Sequence, residues 1–232
     1  MNNKHICVYD LETDSADASV AQPIQFSALI VEPHHLTIVP DSEFNAFCKP
    51  DGFDKEGYLN DSRMSTYEFH AKNRGVTVEE VLKEVSEAPP IKMVFEQFVE
   101  HVRRYADKPG SKSLFQAVIP AGFNNTEFDD KIIKRLCGKY KVLYKGEPSL
   151  FFWRDRKDIM SIVSLWFEGA SDSKLPKNLK LDTLRPLFGI NPDKVNAHDG
   201  LQDCRDEAEL LIRFLKMHRQ LYNKVQWPWK KK

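Results

Sequence analysis

Acidic side chains in three short segments of the chain could together bind divalent metal ions. The carboxylates are Asp10, Glu12, Asp129 and Asp203, and His198 precedes the last of them. Hard divalent cations prefer carboxylate oxygens, and phosphoryl transfer is well served by two such cations a few ångströms apart. A neighbouring histidine could accept the proton of an attacking water molecule. These residue types therefore predict metal-dependent phosphoryl-transfer chemistry.

Each segment taken alone also has a plainer explanation. Asp10 and Glu12 alternate along a strand and so share one of its faces, but acids at a strand end are often solvated turn residues. Asp129 could be only a helix N-cap, because Asn and Asp favour helix starts. A single histidine before a helix, such as His198, is more often a cap or a surface residue. The metal-site hypothesis therefore depends on the three segments occurring together.

The predicted secondary structure places each acid at the start or end of an element. Strands are predicted at residues 4–10, 23–32 and 43–49, which form an antiparallel meander, and at 114–123, where Pro120 requires a bulge, an edge or a strand end. Helices are predicted at 65–74, capped by Ser65 or Thr66, at 78–87, capped by Thr77, and at 91–105, 129–140, 154–168, 181–188 and 199–221. A loop is expected at 171–176. The pattern is that of an α/β domain with a mixed sheet.

Composition describes an ordinary globular protein with a single folded unit. The 232 residues carry 34 basic and 34 acidic side chains, so net charge gives no argument for a nucleic-acid partner. Residues 1–222 are assigned to one domain and 223–232 to a tail that contains Trp227 and Trp229 and ends in three lysines. The four cysteines have neither zinc-site nor disulfide spacing. Without a signal peptide or an apolar span, a cytoplasmic location and no membrane contact are expected.

A basic and aromatic region follows Asp129 and has two explanations. It could track phosphates and stack on bases, or it could be a solvated helix face beside core aromatics. Its residues are Lys131, Lys134, Arg135, Lys139, Tyr140, Lys141, Tyr144, Lys145, Phe151, Phe152, Trp153, Arg154, Arg156 and Lys157. The six histidines other than His198 have no acidic company in the sequence and are expected at the surface or in the core.

The acidic segments, in their order and spacing, resemble those of the DEDDh 3′→5′ exonucleases, and within that group the nuclease domain of bacterial exonuclease I. The resemblance runs from about residue 5 to residue 217. Residues 122–130 and 196–199 carry it most specifically, and residues 23–26, 47–50 and 181–184 agree with it. It implies an RNase H-like mixed sheet, an antiparallel strand meander plus a parallel strand, flanked by helices. The implied activity is hydrolysis of nucleic-acid ends, single-stranded DNA foremost, to nucleoside 5′-monophosphates.

The resemblance also assigns roles to individual residues. Asp10, Glu12 and Asp203 would hold the first of two Mg²⁺ or Mn²⁺ ions. Asp10 would bridge to the second ion, which Asp129 supports. His198 would act as the general base.

Further positions follow from the same resemblance. Thr13 would seat the terminal 3′ hydroxyl, Leu11 and Phe128 would wedge against the terminal base, and Asn125 is assigned to substrate binding. Gly200 stands where the family usually has alanine. Inside a helix this costs about 0.5–1 kcal/mol, and we expect it to loosen the turn that carries His198.

Other functions are left open by the sequence. A proofreading subunit or a short-RNA exonuclease of the same family would have the same acids, and no residue separates DNA from RNA as the substrate. A non-catalytic nucleic-acid-binding domain is disfavoured because such a protein should have lost metal ligands. A nucleotide switch or a dehydrogenase is disfavoured because the chain has neither G-x-G-x-x-G nor a P-loop.

Overall fold

A mixed β-sheet with helices on both faces forms the centre of the computed structural model, which describes residues 4–168, 175–190 and 199–225. The strands are β1 Ile6–Thr13, β2 Pro23–Glu32, β3 Thr37–Ile38, β4 Phe44–Phe47, β5 Ile119–Gly122, β6 Leu143–Tyr144, β7 Glu147–Pro148 and β8 Lys157–Asp158. The helices are α1 Asp61–Arg74, α2 Val78–Glu87, α3 Ile91–Arg103, α4 Asp129–Lys139, α5 Ile159–Phe167, α6 Leu181–Leu187 and α7 Gly200–Lys224.

Strand order in the central sheet is β3-β2-β1-β5-β8, and β4 pairs with the other end of β2. β1 is antiparallel to β2, β2 is antiparallel to β4, and β1, β5 and β8 run parallel. The predicted RNase H-like mixed sheet, a meander followed by a parallel strand, is therefore confirmed. The sequence analysis missed four short strands: β3 and β8 of this sheet, and β6 and β7, which pair with each other.

Alternation along β1 divides its side chains between two cores. Cys7, Tyr9 and Leu11 face the cluster that includes α3 and α4. Ile6 and Val8 face the other cluster, which includes α5, α6 and α7. Because side chains alternate along a strand, Asp10 and Glu12 continue the face of Ile6 and Val8. The acids of β1 therefore lie on the side of the sheet that α7 covers.

Local capping decides where two helices begin, and both starts differ from the sequence prediction. α1 begins at Asp61 because the Asn60 side chain accepts a hydrogen bond from the Arg63 backbone N–H at 3.0 Å, so neither Ser65 nor Thr66 is the cap. α5 begins at Ile159, capped by Asp158. The predicted helical residues 154–158 instead form the end of a 3₁₀ turn and the strand β8.

Other elements follow the prediction closely. α2 begins after Thr77, whose hydroxyl and the Glu80 carboxylate form a capping box. Pro120 lies within β5, opposite Cys7, but the strand is short because residues 114–116 form a 3₁₀ turn. No helix in the described ranges is long and apolar enough to cross a membrane.

Candidate active site

The acids predicted from the sequence meet beside the carboxyl end of β1. Asp10 and Glu12 come from β1, Asp129 is the first residue of α4, and Asp203 lies in the first turn of α7. Each of these carboxylates lies within electrostatic range of others in the group, as the perturbed pKa values below describe. The structure therefore brings together the four residues that the sequence selected; we call them the acid cluster.

Burial and mutual repulsion both disfavour charge on the acid cluster. Burial raises the pKa of Asp10 well above its usual range, and Glu12 and Asp203 raise it further. Burial, then Asp203 and Asp129, raise the pKa of Glu12 to about 8, against the opposing effect of Arg74. Burial and Asp10 likewise raise the pKa of Asp129. The neighbouring carboxylates thus repel one another when they are charged, and a bound cation would relieve this repulsion.

Asp10 and Asp129 both lie near the backbone of Leu11, the residue that stands between Asp10 and Glu12 in β1. The Leu11 backbone amide opposes the rise in pKa at both carboxyl groups, so the two side chains lie near the same amide. Asp129 is 6% exposed, and its Oδ1 has no hydrogen-bond partner in the described part of the chain. Buried polar atoms are nearly always paired, which makes this oxygen a candidate ligand atom.

Arg185 of α6 engages the Asp203 end of the cluster. Its buried guanidinium donates to Asp203, to Asp206 at 2.7 Å and to Asp182 at 2.5 Å. With Asp203 held in this way, no three His, Cys, Asp or Glu side chains of the described residues are already grouped around a common metal position. Arg185 was missed by the sequence analysis, because a basic residue in a short helix carries no signal of its partners.

His70 of α1 is buried, as expected for a core residue, and it also contacts Glu12, which the sequence analysis did not predict. Its Nε2 lies 2.7 Å from the carbonyl oxygen of Thr13, and its Nδ1 lies 3.2 Å from Oε2 of Glu12. A carbonyl oxygen can only accept, so Nε2 donates. Nδ1 is the ring nitrogen that meets the Glu12 carboxyl group, so His70 joins α1 to the end of β1.

Glu207 is a further acid near the cluster that the sequence analysis missed. It lies one helical turn after Asp203 on α7 and is 3% exposed. Burial raises its pKa well above the usual range, and Asp10, Asp203 and Asp129 raise it further. The spacing of four residues from Asp203 was the one available signal, since it places both side chains on the same face.

Gly200 is required by the close approach of α7 to the sheet. A Cβ atom there would lie 2.7 Å from Oγ of Ser27 and 3.5 Å from Oδ2 of Asp10. Gly200 is the first residue of α7, capped by Asp199, and not an interior position. The expectation that this glycine weakens a helix interior is therefore wrong, because its absent side chain lets the helix start pack against Ser27.

The remaining predicted site residues lie close to the cluster in the chain, but their side chains face inward. Thr13 is 6% exposed and donates to the Ser15 carbonyl at 2.9 Å, and Leu11 belongs to the core. Asn125 is 1% exposed, and Phe128 packs partly buried against the same core. Their roles in substrate binding stay predictions. His198 lies outside the described residues, as do the Trp and Lys residues of the tail.

An open cleft of about 620 Å³ borders the Asp203 end of the acid cluster. Phe69 and Asn73 of α1 line one part of it, and Phe123 and Asn124 after β5 line another. Its volume is within the range of small-molecule sites.

Much of the basic region after Asp129 is engaged with the protein itself. Lys139 pairs with Asp51, and Lys131 pairs with Glu127 at 2.8 Å. Arg135 donates to backbone carbonyls of residues 18–21, and Arg156 lies 3.6 Å from Asp130. These contacts favour the explanation as a structural helix face over a phosphate track.

The sheet order and its helices are those of known exonucleases. No family model matches the chain, and no curated protein sequence is significantly similar to it. Solved structures do match: E. coli exonuclease I is 18% identical, with a TM-score of 0.66, over 95% of this chain and 43% of that protein.

Two further structures agree. Exonuclease I from Methylocaldum szegediense is 21% identical, with a TM-score of 0.64, and the match covers 95% of this chain and 42% of that protein. Cell-death related nuclease 4 is 16% identical, with a TM-score of 0.62, and the match covers 92% of this chain and 64% of that protein. The chain thus spans less than half the length of the exonuclease I proteins. The likeness to exonuclease I expected from the sequence is confirmed at the level of the fold.

Proposed function

We propose that the chain is a metal-dependent 3′→5′ exonuclease that hydrolyses single-stranded nucleic acid, DNA in the first place, to nucleoside 5′-monophosphates. One observation carries the proposal: the four carboxylates selected from the sequence lie close enough together to raise the pKa values of Asp10, Glu12 and Asp129, in the fold of exonuclease I. E. coli exonuclease I has been solved with a dT13 oligonucleotide, and also in a zinc-bound form with single-stranded DNA.

The residues present fit a pair of hard divalent cations. The acid cluster offers only oxygen ligands, which suits Mg²⁺ or Mn²⁺. Asp129 Oδ1 is buried without a partner, and the cluster's pKa values are raised by mutual repulsion. Asp10, Glu12 and Asp203 would hold one ion, and Asp10 with Asp129 the other. Bound there, the ions would supply Lewis acidity for the attacking water and the leaving oxygen.

The chain's own side chains would do the remaining work. His198 would take the proton of the attacking water. His70 holds the Glu12 carboxylate, and Arg185 holds that of Asp203, so both are positioning residues. The cleft beside Asp203 would admit the strand end, with Thr13, Leu11, Asn125 and Phe128 bordering the terminal nucleotide.

The direct test is hydrolysis of short oligonucleotides labelled at the 3′ or the 5′ end. Wild-type protein with Mg²⁺ or Mn²⁺ should release labelled mononucleotide first from the 3′ end of single-stranded DNA, and chelator should stop the reaction. Asp10→Asn should be inactive, whereas Glu56→Gln, at an exposed position remote from the cluster, should match wild type.

The same assay on RNA and on duplex DNA of identical sequence decides the substrate. Faster release from RNA would replace DNA by short RNA in the proposal. Full activity in chelator, or cleavage that begins at the 5′ end, would remove the metal-dependent 3′→5′ assignment altogether.

A further inference from the structure

Glu207 is a buried carboxylate to which the proposed function gives no role. It lies four residues after Asp203, so the two side chains leave the same face of α7. The other residues that follow along this face, Cys204, Ala208 and Leu211, are buried and belong to the core cluster under the sheet. An acidic side chain at such a position needs a counter-charge or a proton.

The surroundings of Glu207 are acidic rather than basic. Asp10, Asp203 and Asp129 all act on its carboxyl group, and Arg185 is the cation that opposes them. The hydrogen bonds of Arg185, however, go to Asp182, Asp203 and Asp206. Oε2 of Glu207 has no hydrogen-bond partner within the described ranges. Glu207 thus has a buried oxygen without a hydrogen-bond partner among the described residues, on the face of α7 that carries Asp203.

We propose that Glu207 is a fifth carboxylate of the metal site, bound to a divalent cation directly or through one water molecule. The proposal rests on the proposed function, because it needs the acid cluster to bind cations. Six-coordinate ions such as Mg²⁺ usually keep several waters, so the site has room for another oxygen ligand. The competing explanation is a protonated glutamic acid that only fills space under the sheet.

The variant Glu207→Gln separates these explanations, since it keeps the side-chain volume and removes the charge. We expect Mn²⁺ to bind the variant about 10–100-fold more weakly than wild type, the scale of a lost supporting ligand. Isothermal titration with Mn²⁺ measures the affinity, and the Mn²⁺-induced rise in unfolding temperature gives an independent readout that needs no activity. Without cation, the variant should unfold at or above the wild-type temperature, because an unpaired buried acid is gone.

Two further variants, one at Glu207 and one at a control position on the same helix, complete the comparison of Mn²⁺ affinities. Glu207→Asp keeps the charge one methylene further back, so it should bind Mn²⁺ more tightly than Glu207→Gln; it also serves if the glutamine variant does not fold. Glu209→Gln, on the same helix but paired with Arg213, should bind as wild type does.

The possible outcomes separate this proposal from the proposed function. Wild-type affinity in Glu207→Gln, with affinity lost in Asp10→Asn, would overturn the role of Glu207 and leave the metal site standing. Equal Mn²⁺ binding in wild type and Asp10→Asn, or none in wild type, would overturn the metal site and this inference with it.

Discussion

Asp14 in the turn after β1 and the two acids of β1, Asp10 and Glu12, lie close together in the chain, but the groups that surround their carboxylates are opposite in kind. Asp14 is fully buried and has a donor on each oxygen: the Gln22 N–H lies 2.7 Å from Oδ1, while Oδ2 accepts from Tyr58 and from Nε of Arg63 at 3.1 Å. Asp10 and Glu12, four and two residues earlier, lie near other acids.

The difference shows how to tell a structural acid from a functional one. A buried carboxylate with a full set of donors stabilises the native structure, and removing it leaves those donors unpaired. Acids that raise one another's pKa weaken the fold until a cation binds, so such a group is retained for its chemistry. Asp14 ties the turn after β1 to α1, whereas the acids of the cluster raise one another's pKa values, which is the arrangement expected of the proposed cation site.

Asp10→Ala should give the largest effect on the functional side of this comparison. We expect hydrolysis of a single-stranded oligonucleotide to fall by at least ~10³-fold, the scale of a lost electrostatic contribution to the transition state. Stability without cation should not fall by more than ~1 kcal/mol, because the mutation relieves repulsion. Rate assays and denaturant unfolding measure the two quantities. An active Asp10→Ala protein would place the reaction elsewhere.

His198→Ala tests whether proton transfer belongs to the same site. A general base contributes roughly 10²–10⁴ to the rate, so the variant should lose that much while still binding Mn²⁺ and oligonucleotide. Single-turnover rates and Mn²⁺ titration separate the two properties. A variant with the wild-type rate would take His198 out of the mechanism.

Asp14→Ala should reverse the pattern seen at Asp10. Loss of a buried partner leaves Tyr58 and Arg63 without their acceptor, and we expect about 3 kcal/mol less stability to unfolding. Activity per folded molecule should stay within a few-fold of wild type. Chemical denaturation and the rate at low temperature provide the data. Unchanged stability would mean that the donors around Asp14 find water instead.

The pH dependence of stability gives the most gradual of these effects, because it is spread over several pH units. Because the pKa of Glu12 is raised to about 8 in the folded protein, the native state holds more protons than the unfolded one above pH ~4.5. Stability in chelator should therefore fall as pH rises toward 8, by on the order of 1 kcal/mol per pH unit for one extra proton.

Glu12→Gln should reduce this slope, and Mg²⁺ should reduce it in wild type. Unfolding measured in chelator at several pH values between 5 and 8.5 gives the slopes. Equal slopes in Glu12→Gln and wild type would show that Glu12 is not the group that takes up the proton.

The sequence predicted what depends on neighbours along the chain and missed what depends on contacts across the fold. The apolar run along residues 23–32, which predicted a buried strand, and the cap at Thr77 are local patterns, and both were confirmed. The start of α1 was wrong because several polar residues could cap it, and only the packing of the turn selects Asn60.

The site shows the same division. Asp10, Glu12, Asp129 and Asp203 were found from their motifs, and the structure brings them together. The partners of this set, His70 and Arg185, come from α1 and α6, far away in the chain. No periodicity encodes which histidine meets a given glutamate, so these contacts could not be predicted.

Because Gly200 lies so close to Ser27, the order in which these two residues could be replaced during evolution matters. Alanine at position 200 would bring its Cβ to 2.7 Å from Oγ of Ser27, but once that oxygen is gone the nearest contacts would be 3.4 Å and 3.5 Å. A lineage could therefore accept Ser27→Ala first and Gly200→Ala second. In the opposite order the new Cβ at position 200 would meet the Ser27 hydroxyl, so either that hydroxyl would have to turn away from Asn45 or the start of α7 would have to shift, and this order is therefore the more costly one.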